Sequence, residues 1–103
     1  GWTLATSQLG SFQASAARAL IGLGADASIV CGSDKEELRA SLRSTDRIYK
    51  GTQIHLGDIA QALGEEFGGA GSGHPTAAGV NCEGEPEDFL ERAVQLISEQ
   101  LAS

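Results

Sequence analysis

Five glycines fall within the twelve residues 68–79 and frame one histidine, in the run Gly68-Gly69-Ala70-Gly71-Ser72-Gly73-His74-Pro75. Glycines let a backbone approach a ligand with no Cβ in the way, and successive amides in such a run can converge on one anion. A P-loop is excluded, because that motif closes on Gly-Lys-Ser/Thr and no lysine follows. A dinucleotide fingerprint needs a strand before it and a helix after it, whereas the periodicity here puts a helix before and a strand after. The same objection removes Gly22-x-Gly24-x-x-Ala27. Without a ligand, the run reads as a tight helix-to-strand turn.

A second group lies upstream. Four of the seven basic residues, Arg39, Arg43, Arg47 and Lys50, fall within twelve positions of an otherwise acidic chain. The planar guanidinium fork matches phosphate oxygens. Arg39 and Arg47 read better as a solvated face balancing Glu36 and Glu37. Arg43 stands between two serines, so Ser41, Arg43 and Ser44 form a candidate set for one phosphate. His74, beside Gly73, is a candidate phosphate donor, and His55 carries no functional expectation. Two histidines with no H-x-H or H-x-x-x-H spacing do not make a metal site without carboxylates, and sequence alone supports no Ser/His/Asp triad.

The elements that must position these groups follow from periodicity and breakers. Residues 2–9 read as an edge strand. Ser11 is the expected N-cap of a helix whose stripe is Phe12, Ala16, Ala19, Leu20 and Leu23, closed by Gly24. Residues 25–32 read as a buried strand and 33–36 as a polar turn. Residues 37–44 alternate, with Leu38, Ala40 and Leu42 facing in and Arg39, Ser41 and Arg43 facing out. Residues 45–57 read as a loop, with a short strand around Ile48. Asp58 caps a helix running to Phe67, and residues 77–82 form another strand. Pro86 opens the last helix, with Glu87 and Asp88 near its positive end and Phe89, Leu90, Ala93, Val94, Leu96, Ile97 and Leu101 as its buried stripe. The expected architecture is one small α/β domain with a mixed sheet of about four to five strands and three helices.

Composition bounds the setting. The 103 residues suit one domain with one core, and 41% are apolar, which argues against disorder. No apolar run approaches a membrane span, and no signal segment opens the chain. The formal net charge of −7 repels nucleic acid at long range. Many acids with only two lysines also suit a halophile's high-salt cytoplasm, where screening shortens that repulsion. Cys31 and Cys82 read as reduced, buried thiols of a cytoplasmic protein. The absence of methionine leads to the expectation that the chain is an excised or processed piece of a larger protein.

These residues carry a resemblance. Gly71-Ser72-Gly73-His74-Pro75-Thr76-Ala77-Ala78-Gly79 is similar to the Gly-Gly-Gly-His-x-x-Ala-Ala-Gly motif of the DHH-associated C-terminal domain. Ser41-Leu42-Arg43-Ser44 resembles the Ser-Leu-Arg-Ser strand preceding that motif in RecJ-type nucleases, oligoribonucleases and exopolyphosphatase-related proteins. The similarity spans roughly residues 28–101, with Ser72 in place of the middle glycine. It implies a substrate-binding domain, with Gly71, Gly73, His74 and Arg43 holding substrate phosphates; Ser41 and Ser44 are candidates beside Arg43 from the strand itself, and the hydroxyl of Ser72 is a candidate for one more contact. It implies an N-terminal DHH catalytic domain in the same parent chain, which carries Mn²⁺ or Mg²⁺. No Asp-His-His triplet occurs here, so this piece alone is expected to bind no metal and to have no hydrolase activity. The expected ligand is single-stranded nucleic acid, an oligonucleotide or polyphosphate, with no membrane partner. An exopolyphosphatase-like enzyme, a cyclic-dinucleotide phosphodiesterase and a non-catalytic interaction domain remain as alternatives.

Overall fold

The glycine-rich run folds as a strand. In the computed structural model, which describes residues 1–102, the chain runs β1 (Leu4–Gln8), α1 (Gln13–Gly22), β2 (Ala27–Asp34), β3 (Glu37–Ser44), α2 (Asp46–Thr52), α3 (Leu56–Glu66), β4 (Ala70–His74), β5 (Ala77–Cys82) and α4 (Pro86–Leu101). One five-stranded sheet has the order β1-β2-β3-β5-β4. β1 is parallel to β2, and the other neighbours are antiparallel. The α/β class and mixed sheet match the sequence expectation, but the described residues form four helices rather than three.

The extra helix is α2, in the segment expected to be a loop. The Thr45 hydroxyl accepts from the Ile48 amide at 3.2 Å, and Asp46 sits in the first turn. That cap and charge suffice for two turns once Ile48 is buried. α3 begins two residues before Asp58, because the cap is the His55 ring, whose Nδ1 accepts from the Asp58 amide at 3.2 Å. α1 also differs in detail. Phe12, not Ser11, holds the N-cap position, at φ +60° and with no side-chain cap. Its inward face is Gln13, Ala16, Ala17, Leu20 and Ile21, while Phe12 and Leu23 are 79% and 85% exposed. Gly24 closes the helix as expected, at φ +114°, its amide donating to the Ile21 carbonyl.

β2 reads as a continuous apolar run because both of its faces are covered. α1 crosses one face of β2 and β3, where the Ser28 hydroxyl donates to the Ala17 carbonyl at 2.8 Å. α3 and α4 cover the opposite face and close the core around Ile29, Leu42, Ile59, Leu63, Phe89 and Ile97. Phe67 packs edge-on against Phe89 at 5.4 Å. Lys35 and Glu36, both at positive φ, turn β2 into β3, the twist that a tight hairpin requires.

α3 meets β4 backbone to backbone. A Cβ on Gly71 would strike the Ala60 carbonyl, and one on Gly64 would lie 2.5 Å from the Gly71 nitrogen. These glycines are therefore steric requirements of helix-on-strand packing. Gly71→Ala is expected to lower the unfolding free energy by about 1–3 kcal/mol, as overpacking does, measured by urea denaturation. An unchanged midpoint would contradict this contact.

Cys31 and Cys82 are both free and buried. Burial, with a smaller contribution from Cys82, pushes the Cys31 thiol up to about 11. Burial also raises Cys82, aided by Glu37 and Glu83. For Cys31 the unfolded chain gives up its proton first as pH rises, so this stabilisation is complete below the ordinary thiol range and lost on approach to pH 11. Unfolding midpoints measured across that window should fall more steeply for the parent than for Cys31→Ala.

Candidate functional site

Strand pairing brings the two sequence motifs together. Across β3, β5 and β4, Arg43 pairs with Ala77 and Ala77 with His74. The next row is Ser41–Gly79–Ser72, and the one after it Arg39–Asn81–Ala70. Paired residues share a face, and residues two apart on a strand share it as well. All nine positions thus lie on one side of the sheet, away from the buried rows containing Leu38, Ala40, Leu42, Val80 and Cys82. α1 covers this side over β2 and the flank of β3, which leaves β5 and β4 open. The opening is a shallow hollow of about 590 Å³, floored around Gly79, Val80 and Asn81 and bounded by Ala40, Ala70, Gly71 and Ser72.

Arg43 is half-buried in this surface. Three other guanidiniums have partners: Arg39 with Glu37 at 3.7 Å, Arg47 with Asp26 at 3.5 Å and over the Trp2 ring at 4.6 Å, Arg92 with both Glu66 oxygens at 2.9 and 3.0 Å, while Arg18 on α1 is exposed and has none among the described residues. Among the described residues Arg43 has no carboxylate or hydrogen-bond partner, although acids outnumber bases fourteen to seven. His74, at the far end of its row, is exposed and likewise unpartnered. Two inter-strand spacings separate the Arg43 and His74 backbones, about 10 Å. An extended chain of anions fits between them.

Ser41 and Ser72 join the same face. Ser72 keeps an ordinary φ, so the serine is accommodated in the strand and its side stands opposite Gly79. Gly71 and Gly73 lie in the strand as packing positions: a Cβ on Gly73 would sit 2.5 Å from the Ala77 carbonyl oxygen. Ser44 does not join the set. It is one residue from Arg43 and so faces the other way, 9% exposed, with its hydroxyl unpaired. Its amide donates to the Thr76 carbonyl at 3.0 Å, which ties the end of β3 to the β4–β5 turn. Sequence reasoning assigned no role to Ala77, Gly79 and Asn81. The period-two alternation of β5 was the available signal.

The fold and this surface define a small α/β domain that offers an open sheet face rather than an enclosed pocket. The family model for the DHHA1 domain matches residues 12–103, and the chain belongs to that family. An uncharacterized Methanocaldococcus jannaschii protein, MJ0988, is 29% identical over 92 residues, which cover 89% of this chain and 28% of that protein. The chain therefore spans little more than a quarter of this relative. Among solved structures, the C-Ala domain of Aquifex aeolicus alanyl-tRNA synthetase shares the fold at TM-score 0.73 and 17% identity, over 99% of this chain and 93% of that one. The pGpG-specific phosphodiesterase PggH of Vibrio cholerae matches at TM-score 0.51 and 20% identity, over 76% of this chain and 24% of that one.

A buried hydroxyl with no partner costs on the order of 1–3 kcal/mol. Ser44→Ala is therefore expected to leave stability unchanged or raise it slightly, and to leave ligand binding intact. Calorimetric melting of the variant checks this, and a fall of several degrees would show that the hydroxyl has a structural partner.

Proposed function

We propose that this domain holds the phosphates of a single-stranded nucleic acid or short oligonucleotide for a DHH-type phosphoesterase domain in the same parent chain. The observation that carries the reading is Arg43: half-buried, unpaired in an acidic protein, and in register with His74 across β5. The guanidinium fork has no protein carboxylate to compete with an arriving anion and matches two phosphate oxygens at once. Ser41 and Ser72 flank the path as hydroxyl donors, and the His74 ring closes it. The roles are to bind and orient; no bond is broken by these groups.

Metal chemistry belongs to the catalytic domain in this reading. Among the described residues no three His, Cys, Asp or Glu side chains lie close enough to hold an ion, and none of the nine face positions is a carboxylate. That MJ0988 and PggH are each about four times the length this chain matches supports a catalytic domain elsewhere in the parent protein. Polyphosphate is a second reading of the same face. None of the nine face positions is Phe, Tyr or Trp, so the planar groups this face offers a base are the His74 ring and the Arg39 and Arg43 guanidiniums.

Affinity should be modest. Arg43 and a few neutral donors neutralise one or two phosphates against a net charge of −7. Non-specific nucleic-acid binding, at ~10⁻⁴ to 10⁻⁶ M, generally uses more cations than that. Binding of a labelled short oligonucleotide should fall at or beyond the weak end of that range, with a shallow salt dependence. Arg43→Ala should abolish most of it. Arg92→Ala, on α4 and paired to Glu66, should bind like the parent. An Arg43→Ala protein that binds as well as the parent would make Arg43 a surface charge and defeat the assignment.

A further inference from the structure

Gly79 occupies the centre of the nine-position face, and the fold does not require a glycine there. A Cβ added to it would find only the Ala40 carbonyl oxygen, at an ordinary 3.7 Å. Its φ is not positive. Gly71, across the pair of strands, shows the contrast, since a Cβ on it would collide with the α3 backbone. A glycine inside a middle strand weakens that strand, and it commonly marks close approach by a ligand or another backbone. Here the packed elements supply no such backbone, because the side of β5 bearing Gly79 is open and Gly79 is exposed.

Its surroundings show what the missing side chain leaves room for. Ser41 and Arg43 stand along β3 on one side, and Ser72 and His74 along β4 on the other. Ala77 and Gly79 floor the space between. The result is a trough along β5, about 10 Å between its flanking strand backbones, lined by donors and bare at its middle. A side chain at Gly79 would rise between Ser41 and Ser72 and block the trough one row along β5 from Arg43, Ala77 and His74.

We propose that Gly79 is a ligand-admitting position: its lack of a side chain lets a phosphate chain lie directly on the β5 backbone, running along the trough from the Arg43–Ala77–His74 row over Gly79 between Ser41 and Ser72. This rests on the phosphate-binding reading above and adds to it that the chain is recognised along its length, in contact with the strand floor. A narrow phosphate or sugar-phosphate backbone satisfies that geometry.

The test uses the chain as described, with Gly79→Ala, Gly79→Val and Arg43→Ala, titrated by NMR with inorganic tripolyphosphate and separately with a short single-stranded oligonucleotide. The expected result is that both Gly79 variants melt at or above the parent temperature, since either removes the entropic cost of a strand glycine and Val adds a β-branched side chain that favours strands. Binding should weaken in the order Ala, then Val, with Val losing at least about tenfold. If only the oligonucleotide is lost, the ligand is a sugar-phosphate chain. If both probes are lost, bare phosphate chains use the trough too. Gly79→Val binding like the parent while Arg43→Ala fails would overturn this inference and leave the phosphate site standing. Parent binding retained in all three variants, or no binding of either probe by the parent at millimolar concentration, would overturn both. Gly79→Ala melting well below the parent would show that the fold itself needs the glycine, and would overturn the inference alone.

Discussion

The open face exists because α3 lies directly on β4. Ordinary side chains hold a helix well away from a strand. At this contact Gly64, Gly71 and the Ala60 carbonyl bring the two backbones together, and Gly57 and Gly73 repeat the arrangement one turn away. That contact fixes β4 at the sheet edge, although Ala-Gly-Ser-Gly-His has little intrinsic reason to be a strand. With β4 fixed, the β4–β5 register puts His74 in the Arg43 row and Ser72 in the Ser41 row. The glycines of the motif thus act mainly on the buried side of the strand, while its Ser72 and His74 act on the open side.

Charge placement bears directly on the proposed binding of anions by this face. The chain is strongly acidic, and a diffuse negative field disfavours any polyanion at long range. Most of the acids that meet a guanidinium do so away from the trough: Asp26 with Arg47 and Glu66 with Arg92. Glu37 holds Arg39 at the rim. Arg43 stands on the same side of the sheet, with no carboxylate partner among the described residues. Local attraction at one point within a repelling surface favours contact at that point over non-specific adsorption.

Much of this was legible in the sequence. The alternation of residues 37–44 correctly separated Arg39, Ser41 and Arg43 from Leu38, Ala40 and Leu42, and Gly24 and Pro86 marked helix ends for clear stereochemical reasons. The same alternation also sets Ser44 opposite Arg43, so grouping the two went against the period of the strand. β4 was not legible, because its strand character comes from α3 and β5 rather than from its own residues. α2 was missed because a seven-residue helix carries too little periodicity, although Thr45 and Asp46 signalled its start. Phe12 and Leu23 were assigned to the buried stripe of α1 and are exposed, since the true inward face is one residue round. Gly79 shows the limit of reading glycines by type: only the surroundings distinguish one that admits a neighbouring helix from one with open space above it.

In the proposed reading, β3, β5 and β4 together present one phosphate-binding face. The most direct measurement is a backbone amide map, recorded by heteronuclear NMR during titration with a short single-stranded oligonucleotide. Shifts should concentrate in Ser41–Ser44, Ser72–His74 and Ala77–Asn81, with α4 and the Lys35–Glu36 turn silent. Shifts centred on α4 or on that turn, with those three segments unmoved, would contradict the account.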